Sequence, residues 1–167
     1  MSLSGRGPKA LACLAVVLAM VLGAIPAMAK VGQAYYCAVE QLSVHKRANV
    51  NSVAVDTLKR GDKVVHLSTK NGLWRVQIAS GEGFVKPKNK KGDRNLVEKP
   101  YKKDGIYVVK GTKRAILRES PSTAAAALNA LKRYTAVKLT KLDGYWGYVT
   151  TQNGTKGWIR LKFISPV

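Results

Sequence analysis

The sequence is poor in the residues from which catalytic and metal sites are commonly built. Its 167 residues include two cysteines, two histidines and nine acidic residues. A cysteine nucleophile needs a histidine base and usually an orienting third group, and only Cys37 with His45 or His66 could attempt this. No pair of acids falls at a recognisable catalytic spacing, and this set is too small for a zinc site. We therefore predict no enzyme activity, no metal and no cofactor.

The scarcity of cysteine also excludes a disulfide-stapled fold. Cys13 lies in an N-terminal segment that we expect to be removed, which leaves Cys37 alone. A single cysteine cannot form an internal disulfide, so each folded unit must rest on apolar burial. Cys37 is either a small buried hydrophobic residue, the interpretation we favour, or a free thiol that pairs between chains.

Residues 1–29 have the pattern of a secretory signal peptide, whose apolar part we expect to be helical. Arg6 and Lys9 supply the positive start, residues 10–25 are apolar and uncharged, and Ala27-Met28-Ala29 is a small-x-small cleavage pattern. We predict cleavage after Ala29 and export to the periplasm or the cell exterior. An uncleaved membrane anchor is the alternative.

Acidic residues are few in the part of the chain that we expect to be exported, residues 30–167. Removal of Arg6 and Lys9 leaves 27 basic against 9 acidic residues, a net charge of +18. Such a protein is attracted to anionic surfaces within a Debye length, about 8 Å at physiological salt. Cell-wall polymers, anionic lipid, lipopolysaccharide and nucleic acid are all candidate partners on this ground, and charge alone does not choose among them.

What the chain does contain is one pattern written twice. LKRGDKVVHLSTKNGLWRV at Leu58 to Val76 returns as LKRYTAVKLTKLDGYWGYV at Leu131 to Val149, 73 residues later. GEGFV at 81–85 likewise returns as TKGWI at 155–159, and we match Trp74 with Trp146, 72 residues later. Two copies are too few for a solenoid, so we expect two separate small domains.

Both copies indicate β structure. Val65 and Leu67 alternate with polar residues, and Trp74, Val76 and Ile78 form another period-two set. Turn signals such as Asn-Gly and Asp-Gly, which supply the positive φ values of tight hairpins, separate these short runs. The segment TAAAALNALK at 123–132 has strong helix formers, but its counterpart at 48–57 does not. We interpret it as an excursion between strands with at most one helical turn.

The stretch between the copies is rich in lysine and contains two prolines. Such a segment is typical of an extended, self-repelling linker, although Leu96-Val97 could pack on the first copy. Whether this linker is only a solvated tether or contacts a polyanion stays open. The residues that would make that contact are Lys86, Lys88, Lys90 and Lys91.

The second copy resembles a bacterial Src-homology-3 (SH3) domain. The resemblance rests on four motifs that arrive in the order this family has them: AILRESPST at 115–123, LKRYTAV at 131–137, GYWGYV at 144–149 and GTKGWI at 154–159. The first copy resembles the family more loosely, with His45 in the place of Arg118 and Phe84 in the place of Trp158. It keeps Gly61 at a position that Tyr134 occupies in the second copy.

The resemblance implies an all-β protein of two tandem SH3-like barrels. The expected organisation is a signal peptide at 1–29, a divergent barrel at 33–86, a basic linker at 87–104 and a second barrel at 105–167. Members of this family are commonly non-catalytic modules at the cell wall, and some recognise peptidoglycan peptides. Two barrels occupy almost the whole exported chain, which leaves no catalytic domain.

Aromatic residues divide into expected core and expected site. We predict Trp158 and Phe84 as core anchors, because a buried tryptophan contributes on the order of 5 kcal/mol before entropy is counted. A shallow aromatic groove is predicted for a peptide or glycan, with Trp146 and Tyr148 on one face of their strand and Tyr145 on the other. Its candidate ligand-binding residues are Trp74, Arg118, Tyr145, Trp146 and Tyr148. For Arg118 the alternative is a barrel-rim residue tied to a backbone carbonyl.

The sequence thus favours an exported binding protein that attaches to peptidoglycan or another envelope component. Two weak sites on one chain gain from avidity on a repetitive polymer. A periplasmic protein–protein adaptor and a binder of polyanions through the basic surface are the alternatives.

Overall fold

The computed structural model describes residues 30–167, so the predicted signal peptide at 1–29 lies outside the described residues. Fourteen strands and one 3-10 turn make up this part of the chain. They are β1 (Ala34–Cys37), β2 (Gln41–His45), β3 (Ala54–Lys59), β4 (Lys63–Lys70), β5 (Leu73–Ile78), β6 (Gly81–Val85), β7 (Leu96–Val97), β8 (Ile106–Val109), β9 (Arg114–Arg118), β10 (Ala127–Lys132), β11 (Ala136–Asp143), β12 (Trp146–Thr151), β13 (Lys156–Arg160), the 3-10 turn Leu161–Phe163 and β14 (Ile164–Pro166). The predicted all-β class is confirmed.

The strands form two seven-stranded antiparallel sheets with the same order. The first runs β3-β2-β6-β5-β4-β1-β7 and the second β10-β9-β13-β12-β11-β8-β14. We call β1–β7 the first unit and β8–β14 the second unit. Each has its own core of buried apolar side chains, as expected of two small SH3-like β domains. Among residues 30–167, no helix has the length and apolarity required to cross a bilayer.

Strand pairing fixes which residues of the two units are equivalent. Val76 pairs with Gly83 in the first unit, and Val149 pairs with Gly157 in the second. Counting back along the strands makes Leu73 the equivalent of Trp146 and Trp74 the equivalent of Gly147. The sequence comparison aligned Trp74 with Trp146, and the structure shows that this alignment is shifted by one residue.

The helix-forming segment at 123–132 is not an excursion. Residues 127–132 form the edge strand β10, which pairs with β9, as β3 pairs with β2 in the first unit. Backbone pairing with β9 outweighs the helix propensity of the alanines, because propensity is a weak preference that tertiary context overrides.

Most of the predicted linker at 87–104 is folded rather than extended. Leu96–Val97 is β7, which pairs with β1, and Leu96 occupies the place that Ile164 has in the second unit. Before it, residues 88–94 form a small loop closed by an antiparallel bridge between Lys88 and Arg94. We call residues 88–94 the inserted hairpin, since β13 and β14 are joined without one. Where the chain divides into independent domains stays a prediction.

The buried face of β4 also differs from the expected one. Val64 and His66 point into the core, where the second unit has Val137 and Leu139, while Val65 and Leu67 are only half-buried. His66 is 2% exposed; its Nε2 lies 3.1 Å from the Thr69 hydroxyl, and its Nδ1 has no hydrogen-bond partner within residues 30–167. A buried unsatisfied nitrogen of this kind costs about 1–3 kcal/mol.

Cys37 is the small buried residue that we favoured. It is 1% exposed, and its Sγ lies 3.3 Å from the Val39 carbonyl oxygen. Burial raises the pKa of this thiol, with smaller contributions from neighbouring groups. A buried, protonated thiol is poorly placed to pair with another chain.

Candidate binding surface

The core of the second unit excludes Trp158. Gly157 and Ile159 of β13 point inward and are buried, and Trp158 between them is only half-buried on the outer face. A Cβ at Gly157 would come within 2.7 Å of Leu117 Cγ and 2.9 Å of the Arg118 carbonyl oxygen, so the inner face has no room there. The same alternation turns Phe84 outward between Gly83 and Val85. The prediction of Trp158 and Phe84 as core anchors is wrong.

Trp158 instead lies in a row of side chains that runs across the outer face of the second sheet. Cross-strand pairing places Lys141 beside Tyr148, Tyr148 beside Trp158, and Trp158 beside Arg118. The two rings meet edge to face with centroids 5.2 Å apart, and Lys141 Nζ lies 5.7 Å from the Tyr148 ring centroid. We call these four residues the outer-face row.

Arg118 ends the row and is partly fixed by the backbone. Its Nη1 donates to the Ala125 carbonyl oxygen at 2.6 Å, which is the backbone tie considered as the alternative to a binding role. The side chain is half-buried, and the guanidinium has further N–H donors beyond this bond. Anchoring one donor holds the plane of the guanidinium in place beside Trp158.

The first unit has an equivalent row with different chemistry. Ser68, Arg75, Phe84 and His45 take the four places in the same order. The ring of His45 is tied in the same way as Arg118, with Nδ1 3.0 Å from the Ser52 carbonyl oxygen. Arg75 forms an exposed ion pair with Glu82 at 2.5 Å. This row therefore offers the phenyl ring of Phe84 beside the imidazole of His45, where the second unit offers the rings of Tyr148 and Trp158.

Trp146 and Tyr145 lie apart from this row, at the contact between the units. Trp146 faces outward from β12 but is 7% exposed, with the Arg160 guanidinium 5.1 Å from its ring centroid. Tyr145 packs against the core of the first unit, and its hydroxyl donates to Asn95 Oδ1 at 2.7 Å. The five predicted ligand-binding residues thus separate. Arg118 and Tyr148 share the outer face of the second sheet, Tyr145 and Trp146 line a pocket beside residues 88–94, and Trp74 belongs to neither surface.

A buried carboxylate joins the inserted hairpin to the second unit. Asp93 is 1% exposed and accepts hydrogen bonds from Arg160 Nε at 3.1 Å and from Arg160 Nη2, a bidentate arrangement. Lys162 Nζ lies 3.5 Å from Asp93, and Asn89 Nδ2 donates to it at 2.9 Å. Burial by itself would raise the pKa of Asp93, but these hydrogen bonds and charges outweigh it, so the pKa lies below the ordinary value. Asp93 is therefore ionised and paired at neutral pH.

Further hydrogen bonds connect the two units beside this carboxylate. Arg60 Nη2 of the first unit donates to the Gly144 carbonyl oxygen of the second at 2.9 Å. Lys162 Nζ also donates to the Lys91 carbonyl oxygen at 2.9 Å. We call the contact made by Asp93, Asn95, Arg60 and their partners the inter-unit contact.

The four linker lysines differ in their surroundings. Lys88, Lys90 and Lys91 are exposed, whereas Lys86 is half-buried and its carbonyl oxygen accepts from Asn95 Nδ2 at 2.7 Å. Within residues 30–167, no three His, Cys, Asp or Glu side chains gather closely enough to suggest a metal site.

Sequence reasoning missed Trp158 and Lys141 as surface residues and missed Asp93 and Arg160 altogether. The strand alternation around Ile159 was the available signal for Trp158. Asp93 and Arg160 are 67 residues apart in the sequence, and no local pattern connects them.

Comparison with known proteins bears chiefly on the second unit. The chain is similar to NlpC1 and NlpC2 from Trichomonas vaginalis, with 13% and 14% identity, TM-scores of 0.32, and coverage of 90% and 81% of this chain against 51% and 48% of theirs. An NlpC/P60 family protein from Bacillus cereus has 16% identity and a TM-score of 0.33 over 80% of this chain and 56% of its own. The chain thus spans about half the length of these proteins, and none of the curated proteins matches it. Residues 113–165, which include the whole outer-face row, match the bacterial SH3 domain family.

Proposed function

We propose that this is an exported, non-catalytic protein that attaches to peptidoglycan through the outer-face row of its second unit. The observation that carries the proposal is the half-exposed Tyr148–Trp158 pair with a basic side chain at each end. Peptidoglycan presents sugar faces and carboxylate-bearing peptides, which suit rings and cations respectively. The segment at 1–29 and the bacterial SH3 match at 113–165 support an envelope location.

The energetics of the row favour binding over a structural role. A half-exposed tryptophan retains apolar surface that a ligand can cover, and Trp and Arg are the residue types that most often dominate binding energy. Arg118 loses little further conformational entropy on binding, because the bond to Ala125 already restricts it. The row is therefore preorganised for binding.

Residues 30–167 do not bring the candidate nucleophile and its candidate bases together. Cys37 is buried and protonated, His66 faces the first core, and His45 is tied to a loop carbonyl. Within residues 30–167, none of these three side chains forms a hydrogen bond with another of them. These placements support the non-catalytic part of the proposal.

Sedimentation with purified murein sacculi tests the attachment. In about 1 M salt, where the Debye length falls to roughly 3 Å, the protein should still pellet with sacculi. Trp158→Ala should raise the apparent Kd about tenfold or more, because truncating a central binding tryptophan commonly costs about 2 kcal/mol or more. Tyr134→Gly removes an exposed ring outside the row and should leave the Kd unchanged. Equal loss in both variants, or loss of all binding in high salt, would refute the proposal.

A second candidate function rests on the exposed lysines of the inserted hairpin. Lys88, Lys90 and Lys91 project from a chain that already carries a large positive charge. In this case the ligand is an anionic lipid, lipopolysaccharide or nucleic acid, and binding should weaken steeply as salt rises. Neutralising these lysines together with Lys86 would then abolish binding, while Trp158→Ala would have no effect.

A further inference from the structure

A cleft lies between the closing strands of the two units, away from the outer-face row. Its volume is about 360 Å³, at the lower end of the range for small-ligand sites. β7 of the first unit and β14 of the second both line it, so it exists only when the units are docked. The aromatic and basic side chains that line it include Trp74, Tyr101, Lys88, Arg94 and Lys99. We call it the inter-unit cleft.

The first unit has Trp74 at this cleft where the second unit has a glycine. The equivalent residue is Gly147, where a Cβ would come within 2.5 Å of Leu139 Cδ1 and 3.0 Å of Leu161 Cδ2. The first unit has His66 in place of Leu139, and the indole packs between His66 and Tyr35 with centroid distances of 4.7 and 4.8 Å. The ring is half-buried, so part of it is available to a ligand.

Tyr101 adds a second aromatic wall without adding a reactive hydroxyl. Its hydroxyl donates to the Leu161 carbonyl oxygen at 3.0 Å, and burial raises its pKa to about 12. Its ring lies 5.8 Å from that of Tyr107. The hydroxyl is therefore committed to the protein, and the ring serves as an apolar surface.

The rim of the cleft is positive and unpaired. Lys88, Arg94 and Lys99 are exposed, and none of them forms an ion pair within residues 30–167. Glu98 is the one acidic residue among those lining the cleft in this part of the chain. Three free cations around two aromatic walls attract a ligand that has both a negative charge and an apolar face.

The backbone of the cleft disfavours an added peptide strand. Pro87 and Pro166 line it, and proline has no N–H with which to pair a neighbouring strand. Leu96 N–H is already directed to the Pro87 carbonyl oxygen at 3.3 Å. These two prolines and the committed Leu96 N–H leave fewer backbone donors for an added peptide strand, whereas ring stacking and ion pairing do not depend on backbone donors.

We propose that the inter-unit cleft binds an acidic sugar. The sugar ring stacks on Trp74, and its carboxylate pairs with Arg94 and Lys99 or Lys88. This site is separate from the outer-face row, and it requires both units where the row requires one. The carboxylate can belong to a uronic acid or to a lactyl ether of the muramic type, and the experiment separates these sources.

A titration with three sugars tests the carboxylate. N-acetylmuramic acid and N-acetylglucosamine differ by the lactyl carboxylate, and glucuronic acid carries its carboxylate on the ring. The acidic sugars should shift the ¹H–¹⁵N resonances of Arg94, Lys99 and the Trp74 indole in a saturable way, with N-acetylglucosamine at least about tenfold weaker. A stronger response to muramic acid than to glucuronic acid assigns the lactyl type, and the reverse assigns the uronic type. Equal binding of all three sugars, or tighter binding of an Asp-Val-Asp peptide, would overturn the proposal.

Charge-neutral variants test the location. Arg94→Gln combined with Lys99→Gln should weaken binding of the acidic sugars about tenfold or more, because hydrogen bonds to charged groups are among the stronger ones. Lys63→Gln combined with Lys132→Gln removes the same charge at exposed positions outside the cleft and should have little effect. Trp158→Ala should leave sugar binding intact while reducing sacculus binding, so failure of either proposal can be recognised independently. An unchanged affinity in the cleft variant would refute the assignment.

Discussion

Arg160→Met is expected to lower the free energy of unfolding by about 3–5 kcal/mol, the usual cost of removing one partner from a buried ion pair. Asp93 is 1% exposed and would lose its bidentate partner, while Lys162 Nζ, at 3.5 Å from one carboxylate oxygen, supplies a single longer contact. Methionine keeps an apolar side chain over Trp146, so the loss reports the charge rather than a cavity. Urea unfolding with tryptophan fluorescence measures the effect.

Arg75→Met is the matched control for this substitution. Arg75 and Glu82 form an ion pair at 2.5 Å, but their side chains are 51% and 41% exposed. An exposed pair is worth about 0–1 kcal/mol, so the control should be close to neutral. Arg160→Met combined with Asp93→Asn should recover part of the loss, because no unpaired carboxylate is then buried. Equal small effects of Arg160→Met and Arg75→Met would show that the buried carboxylate does not hold the units together.

The same carboxylate gives the inter-unit contact a dependence on acid. The pKa of Asp93 is lower in the folded protein than the value of about 3.9 for an unfolded aspartate. Its contribution is therefore complete above about pH 5, where the unfolded group is also ionised, and is lost as the pH falls through the lower folded-state value. Acid should weaken the docking of the units in the wild type, and this sensitivity should be reduced when Asp93 is replaced by asparagine.

Ile159→Ala is expected to cost about 2–5 kcal/mol, although Trp158 beside it is the larger side chain. Ile159 is fully buried in the core of the second unit, whereas Trp158 lies on the outer face against Tyr148. Truncating the isoleucine leaves a cavity in the core, whereas water fills the space left by truncating the half-exposed tryptophan. Trp158→Ala should therefore cost about 1 kcal/mol, close to the value of an aromatic pair.

Thermal and urea unfolding of the two variants distinguish core from surface. Val85→Ala and Phe84→Ala in the first unit provide the parallel comparison, since Val85 is buried and Phe84 half-buried. The same order of effects should appear there. A larger loss from Trp158→Ala than from Ile159→Ala would restore the tryptophan as the core anchor.

The sequence was sufficient to predict the class of fold and the duplication. Alternating apolar residues separated by Asn-Gly and Asp-Gly turns predicted short antiparallel strands, and the 73-residue spacing predicted two related units. The error at Trp74 came from matching identical letters. Pairing of Val76 with Gly83 and of Val149 with Gly157 is a property of the sheet, and it places Leu73, not Trp74, at the position of Trp146.

The inter-unit contact could not be predicted in the same way. The lysines at 86–91 dominate the composition of the linker and predict repulsion and extension. One aspartate and one arginine 67 residues apart reverse that expectation, because burial with a bidentate partner depends on three-dimensional proximity. Local composition describes the average of a segment, whereas the docking of this one depends on specific contacts, of which the buried Asp93 carboxylate makes the strongest.

The inserted hairpin makes the tandem arrangement directional. The first unit supplies Asp93 and Asn95, and the second supplies Arg160 and Tyr145 to receive them. Within residues 30–167 the second unit joins β13 to β14 through a short 3-10 turn and has no hairpin of its own to offer. The two copies are therefore not interchangeable: the first carries these acceptors, the second carries these donors, and within residues 30–167 the second has no hairpin with which to repeat this contact to a further copy.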